Sequence, residues 1–86
     1  MLFENKVNAV HKKTGNKYAV IGLVKNCTNA QDGQIMVMYE SLTMYRDVHF
    51  TRELSEFLDK FNCPDDICNH AKTFRNALRE FKKPTV

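Results

Sequence analysis

Five polar or aromatic residues stand out in this 86-residue chain as candidates for ligand contact: His11, Tyr39, Tyr45, His49 and Arg52. Aromatic rings beside an arginine can stack a nucleobase or hold a peptide side chain. The plainer reading has Tyr39 and Phe50 in the core and Arg52 paired with Glu53 or Glu56, because aromatics chiefly supply buried area. His11 and His49 could meet across a curved sheet. Two histidines without a nucleophile or a metal do not make a mechanism.

A second group is cationic. Lys72, Arg75, Arg79, Lys82 and Lys83 recur near the C-terminus, where residues 72–83 carry five Lys/Arg against one Glu. Residues 1–60 carry eight against seven, so the excess behind the net charge of +3 is concentrated at the end. At about 100° per residue these cations gather on one side of a helix, a surface able to meet phosphates. A solvated helix face is the plainer reading. Cys63, Cys68 and His70 are too few and too irregularly spaced for a structural zinc site. Cys63 near a helix start would have a lowered pKa. The chain has no phosphate-binding glycine loop and no nucleophile elbow, so neither enzymatic activity nor a cofactor is expected.

The elements that must position these residues follow from periodicity. Residues 34–57 organise the chain. Their two β-prone runs, Ile35-Met36-Val37-Met38-Tyr39 and Val48-His49-Phe50-Thr51, predict a hairpin. Residues 1–6 read as a lead-in, and residues 7–12 as a first strand with Val7, Ala9 and His11 on one face. A Gly15-Asn16 turn leads to a second strand over residues 17–25. Gly22 interrupts that strand and predicts a bulge or bend, as a small curved barrel requires. Leu54, Phe57, Leu58 and Phe61 recur at helical spacing and predict a short helical turn over residues 53–61. Pro64-Asp65-Asp66 opens a helix expected to run to Lys82. Its apolar stripe is Ile67, Ala71, Phe74, Leu78 and Phe81.

Eighty-six residues make one small domain with a modest core. No apolar run approaches the length of a membrane span. No signal peptide is recognised, and three cysteines are an odd number, so reduced thiols and a cytoplasmic location are expected. A barrel of about sixty residues has little spare apolar surface. The four-three spacing of the stripe suits a helix–helix seam, so a homodimer through the C-terminal helix is expected.

The residues also resemble a small bacterial and phage family known as domain of unknown function sixteen fifty-three. His11, Gly15, Tyr18 and Val20 match its first half, Val37-Met38-Tyr39 a Val-Val-Tyr strand, and Phe50-Thr51-Arg52-Glu53-Leu54 with Phe57 its last part. The match covers residues 7–61. Ala9, Phe50 and Glu53 depart from it, standing where the family has Tyr, Trp and Pro. The resemblance implies an SH3-like barrel and no established activity. The expected fold is therefore α+β: an SH3-like antiparallel β-barrel of about four to five strands over residues 1–61, then a C-terminal amphipathic helix over residues 62–86. The expected function is a non-catalytic binding module, fitting a phage accessory protein that engages a host protein or sequesters a nucleotide. The alternative is a nucleic-acid-associated protein using the basic helix, and a small enzyme stands third.

Overall fold

A computed structural model describes residues 1–27, 33–43 and 48–80. The elements run β1 (Leu2–His11), β2 (Lys17–Lys25), β3 (Ile35–Ser41), β4 (His49–Glu53), α1 (Leu54–Lys60), β5 (Phe61–Asn62) and α2 (Asp66–Glu80). All strand pairs are antiparallel, in the order β4-β3-β2-β1-β5. The sheet curls into a half-barrel, and with the two helices it makes the expected α+β fold.

The turns are built from the residues that suit them. Gly15 takes φ 75°, and its N–H donates to the His11 carbonyl at 2.8 Å. Gly33 takes φ 91° and closes the β2–β3 connection by donating to the Asn26 carbonyl at 3.0 Å. Both values fall in the region that glycine enters without steric cost. Gly22 has a different task. The β2–β3 register shifts between Val20 and Gly22, which is the bulge expected there. A Cβ on Gly22 would lie 2.5 Å from the Met1 carbonyl oxygen and 3.1 Å from the Leu2 Cα. The missing side chain thus admits the start of β1 against β2.

Alternation then sorts the side chains. Val7, Ala9, Val20, Leu23, Val37 and Tyr39 face the concave side and are buried. Glu53 starts α1: its carboxylate accepts from Ser55 N at 2.8 Å and Glu56 N at 3.2 Å, satisfying donors that the first turn leaves open. Its φ of −60° is also the value that proline imposes. Leu54 and Phe57 are buried, so α1 packs one face into the core. Phe57 stacks on Phe61 with centroids 4.2 Å apart.

Three expectations are corrected. Most of the supposed lead-in belongs to β1, because Gly22 leaves room for Leu2 to pair with β2. The helical turn expected over residues 53–61 ends at Lys60, and Phe61–Asn62 instead form β5, pairing Val10 with Asn62 and His11 with Phe61. The helix begins at Asp66 rather than Pro64. The apolar stripe of α2 folds back onto its own chain. Ile67 and Ala71 are fully part of the core, with Phe74 and Leu78 packed half-buried against it. Phe3 stacks on His70 at 4.2 Å and ties α2 to β1. Part of the burial that an amphipathic helix needs is thus supplied within the chain, by the packing of Ile67 and Ala71 in the core. Phe81 lies outside the described residues, as does the expected end of the helix at Lys82. No helix among the described residues is long and apolar enough to cross a membrane.

Candidate functional site

β4 and β5 are the two ends of the sheet order, and they bond to β3 and β1 rather than to each other. Curling brings these ends together at a seam. Arg52 of β4 reaches across it, with its guanidinium carbon 5.8 Å from the centroid of Phe61 in β5. A cation over an aromatic face is attracted by the ring quadrupole. Arg52 Nε donates to the Tyr39 hydroxyl at 3.4 Å, and Nη1 donates to Glu56 Oε1 at 2.7 Å. The Tyr39 hydrogen bond, with smaller electrostatic contributions from Tyr39 and then Glu56, outweighs burial and raises the Arg52 pKa.

Around Arg52 the rings form one cluster. Tyr39 is buried and lies within 5.5 Å, centroid to centroid, of Tyr18, Phe50, Phe57 and Phe61. Tyr18 and Phe50 are half-buried and form its edge. His11 meets Phe61 edge-on at 4.9 Å. Its Nδ1 accepts from the backbone N–H groups of Lys13 at 3.3 Å and Thr14 at 3.4 Å. An accepting Nδ1 places the proton of the neutral imidazole on Nε2.

The structure therefore unites His11, Tyr39 and Arg52 and separates His49 from them. His49 alternates onto the convex face, where Nε2 stands 3.5 Å from Glu40 Oε2. The meeting of His11 and His49 does not occur. Glu40 also accepts from Lys6 Nζ at 2.6 Å, and this hydrogen bond, ahead of Coulombic attraction from Lys6 and His49, lowers the Glu40 pKa. The Lys6–Glu40 bridge joins β1 to β3, and Ala19 in the intervening strand is only 2% exposed. Lys72, Arg75 and Arg79 are exposed on α2. Tyr45, Lys82 and Lys83 lie outside the described residues. Cys63 contradicts its expectation. It precedes α2 and is partly buried, and burial, then the nearby Cys68, pushes its thiol pKa up.

Four residues absent from the expected site belong to it. Lys12, Lys13, Asp59 and Lys60 line a groove of about 290 Å³ together with His11 and Arg52. The Lys12 N–H donates to the Lys60 carbonyl at 2.9 Å, locking the β1–β2 turn to the end of α1. Only the pairing of β5 with β1 brings these two segments together, and two residues carry too short a pattern to announce a strand. No family model matches the chain, and no curated protein or solved structure does so either.

Proposed function

We propose that this protein is a non-catalytic binding module that takes a small anionic ligand, a nucleotide, at the seam of its half-barrel. The observation that carries this reading is Arg52. Its guanidinium is oriented by Tyr39 and Glu56, lies over Phe61, and borders both the aromatic cluster and the cationic groove. An ordered guanidinium beside rings suits a ligand with one flat end and one charged end. The size of the groove favours a small molecule over a host protein, since small-ligand pockets begin near about 300 Å³. Sequestration of such a ligand would suit a phage accessory protein. Native mass spectrometry of the purified protein tests the reading. A bound species of nucleotide mass, lost in Arg52→Ala, is the expected result. A wild-type protein that retains no nucleotide and takes none up when nucleotides are added would refute it.

A second reading rests on α2. Lys72, Arg75 and Arg79 form no ion pair with any described residue. Their charges are thus free to meet nucleic-acid phosphates. Salt-dependent retention on DNA or RNA, abolished by replacing these three, would favour it.

A further inference from the structure

The seam groove concentrates like charge, and the backbone holds it there. Pairing of His11 with Phe61 and the Lys12–Lys60 backbone bond set the β1–β2 turn beside the end of α1. Lys12, Lys13 and Lys60 consequently share one hollow with Arg52, and Asp59 is the single carboxylate of the lining. With His11 neutral the formal charge of the lining is +3, and Arg52 alone among its cations is already ion-paired, with Glu56. None of the three lysines is ion-paired with a described residue. Clustered ammonium groups repel, and an arrangement that breaks a local rule marks a site built for something else. The groove's neighbour on the other side of Arg52, a hollow of about 450 Å³, is lined by Glu53 and Glu56 as well as Arg52 and has no excess of positive charge.

The donors suit phosphate. His11 accepts at Nδ1, which leaves Nε2–H as its donor. Arg52 commits Nε and one Nη1 hydrogen, so one Nη1 hydrogen and the two Nη2 donors of its five remain. Phosphate oxygens accept readily from a guanidinium fork and from ammonium groups. We propose that the groove binds the phosphate of a nucleoside monophosphate as a phosphomonoester dianion. This rests on the binding-module reading and adds the ligand class and the side chains that hold it. A monoester carries nearly two negative charges at neutral pH, which matches a +3 lining better than the single charge of a diester.

Calorimetric titration with adenosine 5′-monophosphate and with adenosine tests this on the wild type, on Arg52→Ala, and on the triple variant Lys12→Gln/Lys13→Gln/Lys60→Gln. The lysines are exposed at the surface, and circular dichroism checks that the triple variant is folded. The monophosphate should bind the wild type about tenfold or more tighter than adenosine, as expected for charge-assisted hydrogen bonds. The triple variant should erase that difference while leaving adenosine binding in place, and added salt should weaken the monophosphate alone. Equal affinities for the two compounds, or a triple variant as tight as the wild type for the monophosphate, would overturn the phosphate assignment. If binding in that case still disappears in Arg52→Ala, the seam remains the ligand site and only the phosphate assignment falls. Absence of binding by either compound overturns the assignment as well, and a different nucleotide seen in the native mass spectrum would then keep the broader reading.

Discussion

Glu40 shows how single residues organise the face opposite the seam. Its carboxylate takes a hydrogen bond from Lys6 on one side and faces His49 on the other, so its pKa is lowered. A lowered carboxyl pKa means that the folded state favours the ionised form. The associated stability is complete above the ordinary value near 4.5 and is lost as pH falls through the folded pKa below it. Both partners are substantially exposed, so the effect is modest. Urea unfolding from pH 7 down to pH 3 should show the wild type losing more stability than Glu40→Gln. Parallel loss in the two proteins would show that the bridge contributes nothing. At this scale the sequence was a partial guide. An ion pair from Arg52 to Glu53 or Glu56 was legible, and the fold selects Glu56. His49 was not separable from His11, because the face on which a strand residue falls depends on register, and register depends on the bulge at Gly22.

Among the elements, β1 and α2 depend on contacts that no local pattern displays. The first turn of chain in β1 lies against Gly22, where the Leu23 N–H donates to the Met1 carbonyl at 2.8 Å. Gly22→Ala would drive a methyl group into backbone rather than into a movable side chain. Overpacking of this kind costs about 1–3 kcal/mol. The expected result is that loss in urea unfolding, together with faster hydrogen exchange at Leu23. Wild-type stability and exchange would mean that the strand start adjusts freely. The interruption at Gly22 was legible as a bulge, but its second partner was not, since residues 1–6 lack alternating apolar positions. For α2, the stripe was legible and its destination was not. Periodicity defines which face is apolar, and only the assembled sheet decides what covers it. Here Ile67 at 0% and Ala71 at 2% exposure place that cover within the chain.

The molecule as a whole is a half-barrel whose open seam is bridged by side chains. Its antiparallel sheet and first four strands could be anticipated from the β-prone runs, the turn glycines and the short helix after β4. The seam could not, because it is made when β5 places Phe61 against His11 and beneath Arg52. That long-range closure gathers Lys12, Lys13 and Lys60, which in the linear sequence read as ordinary surface lysines. The aromatic core and the cationic groove meet at Arg52 and His11, both of which contact Phe61. The account therefore stands on whether ligand binding is felt there. The most direct measurement is a backbone amide spectrum of the isotope-labelled protein titrated with adenosine 5′-monophosphate. Perturbation centred on His11, Lys13, Arg52, Lys60 and Phe61, with Lys72 to Arg79 unmoved, is the predicted result. Perturbation confined to Lys72, Arg75 and Arg79, or none at millimolar ligand, would contradict it.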